Sequence, residues 1–102
     1  MAQLRWTVQA VEDVESIAEF ISEDSIHYAN LFVSDILSAA ERLKRFPEIG
    51  RIVPEFNEPS IREIILGNYR IVYRLKDDFA EILTVFHGSK LIDPSNLDTP
   101  HQ

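Results

Sequence analysis

The sequence predicts an α+β domain with the element order β-α-α-β-β-β, in which a helical hairpin packs on one face of an antiparallel sheet. Apolar residues recur at spacings of three and four in the first half of the chain, which is typical of amphipathic helices. Strand-like runs joined by short turns fill much of the second half. The 102 residues are 45% apolar and 26% charged, an ordinary balance for one small globular domain.

The first half of the chain predicts one strand followed by two helices. Leu4 to Val8 alternates as a half-buried strand does, and the helical spacing begins at Ala10 and continues to Ser22. Ser25 is the expected N-cap of the second helix, which Pro47 should end. The predicted apolar stripe of this helix consists of Ile26, Ala29, Val33, Ile36, Leu37, Ala40 and Leu43.

The second half predicts a three-stranded meander. The runs are Ile61 to Leu66, Tyr69 to Leu75 and Phe79 to Phe86, with a tight turn at Gly67-Asn68. Because such short turns join only antiparallel neighbours, the three strands should pair in chain order. We expect one domain over residues 1–92 and a flexible tail over residues 93–102.

Composition excludes several classes of function. The chain has no cysteine, so it has no disulfide framework, thiolate metal cluster or cysteine nucleophile. Its histidines lack metal-ligand spacing and its glycines stand far apart, so we expect neither a metal nor a cofactor. The sequence shows neither a signal peptide nor a run apolar enough to cross a membrane, which predicts a soluble cytoplasmic protein with no membrane partner.

Charge is distributed unevenly along the chain. The net charge is −7, yet residues 42–76 carry eight bases and four acids. Alternation through the middle strand places Tyr69, Ile71, Tyr73 and Leu75 toward the helices, with Arg70 and Arg74 on the opposite face. We expect that face to be uncovered, so that its arginines contact a target; the predicted contact residues are Arg51, Arg62, Arg70 and Arg74. The alternative is that Arg62 and Arg74 pair with Glu63, Glu81 or acids of the helices.

Four segments carry a resemblance to a known family. They are the stretch from Phe46 to Glu55 (FPEIGRIVPE), the pair Arg62-Glu63, the run Tyr69-Arg70-Ile71-Val72-Tyr73, and the strand end Val85-Phe86-His87-Gly88. Over about residues 4–90 the chain resembles the ParE/RelE superfamily of bacterial type II toxins, closest to the ParE (plasmid stabilisation) branch. The resemblance implies a toxin that a cognate antitoxin holds inactive in a hetero-oligomer. ParE-like members poison DNA gyrase, whereas RelE-like members cut mRNA on the ribosome.

The resemblance also implies which residues would act in each branch. Arg70 matches the family arginine of the central strand, and Lys90 falls where the family has a second arginine. The two lysines of the ribonuclease branch fall near Ile61 and Glu63 here, so they are absent. We therefore favour a ParE-like gyrase inhibitor that is not an enzyme. One alternative is a metal-independent RelE-like endoribonuclease using Arg70, Lys90 and His87; another is a degenerate toxin that only binds its antitoxin.

Overall fold

The computed structural model describes residues 1–89 and confirms the α+β class. Its elements in chain order are β1 (Gln3–Trp6), α1 (Val8–Ser22), α2 (Ile26–Arg42), β2 (Arg51–Ile52), β3 (Ile61–Leu66), β4 (Tyr69–Lys76) and β5 (Phe79–His87). Within residues 1–89, neither helix is long and apolar enough to cross a bilayer. Lys90 and the expected tail over residues 93–102 lie outside the described residues.

The five strands form a single sheet in the order β1-β5-β4-β3-β2. The predicted antiparallel meander is confirmed, and Gly67 has the positive φ of 59° that its tight turn requires. Two features differ from the prediction. The first strand runs parallel to β5, so the sheet is mixed, and the two-residue strand β2 pairs with β3 inside the predicted loop. Alternation within a strand does not specify which outer edge it joins, and two residues are too few to show alternation.

The start of α1 and the end of α2 differ from the predicted positions. The hydroxyl of Thr7 accepts a hydrogen bond from the Ala10 amide at 3.0 Å, so α1 begins earlier than predicted. Ser25 caps α2 as predicted, through the Tyr28 amide at 3.1 Å. The helix ends at Arg42 rather than near Pro47, because the Leu43 amide donates to the Ala40 carbonyl at 3.0 Å and the backbone tightens into turns.

The main core lies between the helices and the sheet. Ile36 and Leu43 pack there against Ile71, Tyr73 and other residues of the central strands. Two members of the predicted stripe are wrong, since Leu37 is 50% exposed and Ile26 is 70% exposed. The buried stripe is shifted around the helix, since Ala39 is buried and Phe32 packs against the core although neither belongs to the predicted stripe.

A second, smaller cluster lies on the opposite face of the sheet. It consists of Val53, Ile61, Val72 and Leu83, with Phe56 and Phe86 packed against it. Val72 therefore points away from the helices, as the alternation predicts. The expectation that this face is uncovered is wrong, because Val53 and Phe56 in the segment between β2 and β3 pack over it.

Candidate functional site

Arg70 lies on the face opposite the helices, as predicted, but it is buried. Only 5% of the residue is exposed, and its Nη1 and Nη2 donate to the two carboxylate oxygens of Glu55 at 2.8 Å each. Its Nε donates to Oε1 of Glu63 at 2.6 Å. A bidentate pair with a further charge-assisted bond is a strong arrangement for a guanidinium. Arg70 is therefore not presented to solvent for a target to contact.

Glu63 extends this ion pair into a chain of four charges. Its side chain is fully buried on β3, and its second oxygen accepts from Nε of Arg51 at 2.6 Å. Charges alternate in the order Arg51, Glu63, Arg70, Glu55, so two arginines balance two glutamates. Because each buried charge has an opposite charge beside it, the cost of burial is offset.

The electrostatics of Arg70 follow from these partners. Its hydrogen bond to Glu55 raises the pKa of the guanidinium above its usual value; burial opposes this, and Glu63 adds to it. The ring of Phe86 lies 5.1 Å from the guanidinium carbon, within cation–π range. Arg70 is accordingly a permanent cation whose charge is already neutralised inside the protein.

The other two arginines of the predicted contact set bind within the protein as well. Arg74 donates to Glu81 at 2.9 Å, which confirms one of the ion pairs that we considered as the alternative. Arg62 donates to the carbonyl oxygens of Pro59 at 2.9 Å and Gly50 at 3.0 Å. Neither pairing tests whether these residues contact a target, so their roles in recognition stay predictions.

Tyr73 and Gly50 fix the segment that carries Arg51. The buried Tyr73 hydroxyl donates to the Pro47 carbonyl at 2.7 Å and accepts from the Gly50 amide at 2.9 Å. A Cβ on Gly50 would lie 2.6 Å from the Glu63 carbonyl oxygen, so only glycine fits this approach. Burial raises the pKa of the Tyr73 hydroxyl, which stays protonated and able to donate.

A cleft of about 490 Å³ lies beside the outer end of the ion-pair chain. Its lining includes Arg51, Ile65, the turn at Gly67-Asn68 and the exposed His87. Nδ1 of His87 accepts from the Ser89 amide at 3.2 Å and lies 2.7 Å from the Ser89 hydroxyl. In the neutral ring this geometry places the proton on Nε2. His87 therefore hydrogen-bonds within its own turn, and its use in RNA cleavage stays a prediction. Arg51 is the predicted contact residue that this cleft exposes.

Sequence reasoning missed the two glutamates that neutralise Arg70. Glu63 shares one face of β3 with Ile61 and Ile65, so its direction was readable from the strand pattern. The strand pattern therefore places the Glu63 carboxylate on the same face of the sheet as Arg70 and favours an ion pair. Glu55 carries no such signal, because it lies in a segment without regular structure.

Comparisons with known proteins agree with this fold. The family model for the ParE toxin of type II toxin–antitoxin systems, parDE, matches residues 4–92. Y4kP, a candidate toxin of Sinorhizobium fredii, is 34% identical over 88 residues, covering 84% of this chain and 88% of that protein. Toxin RelE2 of Caulobacter vibrioides is 29% identical over 92 residues, covering 89% of this chain and all of that protein (100%).

A solved structure gives the same result for the architecture. A chain of the chromosomal ParDE toxin–antitoxin system from P. aeruginosa superposes with a TM-score of 0.71 at 23% identity, covering 85% of this chain and 96% of that chain. At this identity the likeness concerns the fold alone. Together with the family match over residues 4–92, it confirms the predicted resemblance. The chain therefore belongs to the ParE family of toxins of type II toxin–antitoxin systems.

Proposed function

We propose that this toxin inhibits DNA gyrase by binding to it as a protein, and that its antitoxin neutralises it by covering part of the same molecule. The observation that carries the proposal is the enclosure of Arg70 between Glu55 and Glu63. A ribonuclease of the RelE kind would use this arginine to hold a phosphate. Here two carboxylates already occupy its donors.

The strand beside Arg70 also favours a protein target over an RNA backbone. Ile61 and Glu63 stand near the positions where the ribonuclease branch carries lysines, and Glu63 brings a negative charge instead. Stabilising the charge that develops on a scissile phosphate requires donors aimed at it. A carboxylate in that place would raise the barrier, so mRNA cleavage is the weaker proposal.

Net charge supports the same conclusion. Affinity for a nucleic-acid backbone comes mainly from cations that replace counterions on several phosphates. This chain carries 17 acids and 10 bases, for a net charge of −7. Repulsion from a continuous row of phosphates would be unfavourable, whereas contact with a protein surface is not limited in this way.

As a type II toxin, the chain has an antitoxin partner, and the helical hairpin is the surface that we propose for it. A cleft of about 380 Å³ runs between α1 and β5, and its lining includes Ile17, Phe20 and Tyr69. Phe20 is exposed, and residues 1–41 carry a net charge of −7. An extended antitoxin segment that combines apolar and basic residues would fit this cleft by shape and charge.

A gyrase assay with purified components tests the proposal. Toxin at micromolar concentration should inhibit supercoiling or stabilise cleaved DNA, and addition of its antitoxin should restore supercoiling. In parallel, primer extension on translated mRNA after induction should show no new cuts. Unchanged supercoiling together with new cuts would assign the chain to the ribonuclease class, the alternative that the similarity to toxin RelE2 keeps open.

A further inference from the structure

Arg51 differs from the other arginines of this face because part of its guanidinium remains available to bind a partner. Its Nε is held by the buried Glu63 at 2.6 Å, yet 61% of its side chain is exposed. Among residues 1–89 the two terminal amino groups of Arg51 have no hydrogen-bond partner. The protein thus fixes one edge of the guanidinium and leaves the other edge facing outward.

The fixed edge makes Arg51 a prepared contact rather than a mobile surface charge. Arg51 lies directly opposite Glu63 in the register of β2 and β3, and Glu63 is in turn held by Arg70. The Arg51 side chain therefore loses most of its conformational entropy when the protein folds, before any partner binds. A guanidinium held in this way loses less freedom when it binds a target.

The surroundings of Arg51 indicate the chemistry of its ligand. The cleft of about 490 Å³ beside it also contains Ile65, which is 51% exposed. Paired donors on one edge of a guanidinium match the two oxygens of a carboxylate. An apolar side chain next to that carboxylate would pack on Ile65.

The two outward-facing terminal amino groups of Arg51, here called its fork, suit a protein carboxylate better than a nucleic-acid backbone. Phosphodiester binding requires several cations in a row. In this cleft Arg70 is neutralised by Glu55 and Glu63, so Arg51 is the arginine among the lining residues whose outer edge faces solvent. The overall charge of −7 further disfavours a polyanion.

We propose that Arg51 is the principal contact of this toxin with its target. Its Nη1 and Nη2 bind the carboxylate of an acidic residue on a protein segment, and Ile65 packs against an apolar neighbour of that residue. This inference rests on the proposed function, since it requires the target to be a protein. In this proposal Arg51 contacts the target, and Arg70 holds Glu63, which in turn positions Arg51.

Three variants test the assignment with purified gyrase. Arg51→Gln removes the fork and one charge, Arg51→Lys keeps the charge without the fork, and Arg45→Gln removes an exposed arginine outside the cleft. We expect Arg51→Gln to reduce inhibitory potency by about tenfold or more, as loss of a central interface arginine does. Arg51→Lys should lie between Arg51→Gln and the wild type, and Arg45→Gln should match the wild type. All three should bind antitoxin and remain folded at the temperature of the assay.

Separate results would identify which proposal fails. If the wild type inhibits gyrase and Arg51→Gln is equally potent, the assignment to Arg51 is overturned while the gyrase proposal stands. If the wild type arrests growth without affecting gyrase, relief of arrest by Arg51→Gln supports the contact, and unrelieved arrest overturns it. A wild type that does neither overturns both proposals. Steeply salt-dependent binding of labelled single-stranded RNA that Arg51→Gln abolishes would overturn the protein carboxylate as ligand.

Discussion

On the helix side of the sheet the buried side chains form an apolar cluster, whereas on the opposite side four apolar residues lie beside a chain of four charged ones. The helix side depends on shape and volume, since any apolar group of the right size satisfies it. The opposite side depends on pairing, because each buried charge is stable only while its partner is present. Both faces of the sheet are therefore buried, one through apolar packing and the other largely through paired charges.

The largest contrast should come from neighbouring positions of α2. Ile36 is fully buried in the main core, whereas Leu37 is half exposed. We expect Ile36→Asp to destabilise the fold by more than about 4 kcal/mol, because it places an unpaired charge in an apolar site. Leu37→Asp should cost about 1 kcal/mol or less, since its carboxylate reaches water. Urea denaturation followed by circular dichroism measures both; equal losses would show that α2 packs differently.

On the charged face, Arg70→Ala should destabilise the protein by about 3–5 kcal/mol, because it leaves the carboxylates of Glu63 and Glu55 without their shared partner. Arg51→Gln should cost less, about 1–3 kcal/mol, because the buried Glu63 loses one charge-assisted bond but keeps its bond to Arg70. Thermal unfolding of both variants tests the difference. A stable Arg70→Ala would mean that the ion-pair chain contributes little to folding.

Gly50 lies against both Glu63 and Tyr73, whose side chains lie on opposite faces of the sheet, and Gly50→Ala tests this close approach. Its new Cβ would meet the Glu63 carbonyl oxygen at 2.6 Å and the Tyr73 hydroxyl at 2.7 Å, so backbone must shift. We expect a cost of about 1–3 kcal/mol, the usual range for overpacking. Gly67→Asn is the control, because its site has open space and asparagine tolerates positive φ. If Gly50→Ala melts like the wild type, the close approach is looser than the structure gives.

The smallest effect should appear at high pH through Tyr73. Burial raises the pKa of its hydroxyl in the folded state above the unfolded value of about 10. The unfolded chain therefore loses this proton first, so stability is unaffected below about pH 9 and falls as pH rises through 10 and above. Tyr73→Phe should cost about 1–2 kcal/mol at neutral pH through its lost hydrogen bonds and should flatten this alkaline fall. The control Tyr28→Phe, at an exposed tyrosine, should show the same fall in stability at alkaline pH as the wild type.

Much of the fold was predictable because it follows from periodicity. The helix stripes, the strand alternation and the turn at Gly67-Asn68 each depend on residues close in sequence. The parallel pairing of β1 with β5 was not predictable in this way, since it joins residues far apart that show no local signal.

The site was only partly predictable, for a similar reason. Alternation correctly placed Arg70 and Val72 away from the helices. It could not show that Val53, Glu55 and Phe56 return over that face, because an irregular segment has no period from which to infer its path. Of the four arginines that the sequence predicts as contacts, Arg70 is therefore buried, whereas Arg51 is largely exposed.

Reaction of the folded protein with phenylglyoxal measures whether Arg70 is enclosed while Arg51 is accessible, because this reagent modifies guanidinium groups that solvent reaches. Mass spectrometry of the digested protein gives the rate at each arginine, with Arg45 as the exposed reference. We expect Arg51 to react at a rate comparable to Arg45 and Arg70 to stay protected until the protein is unfolded in denaturant. Modification of Arg70 as fast as Arg51 in the folded protein would contradict this expectation.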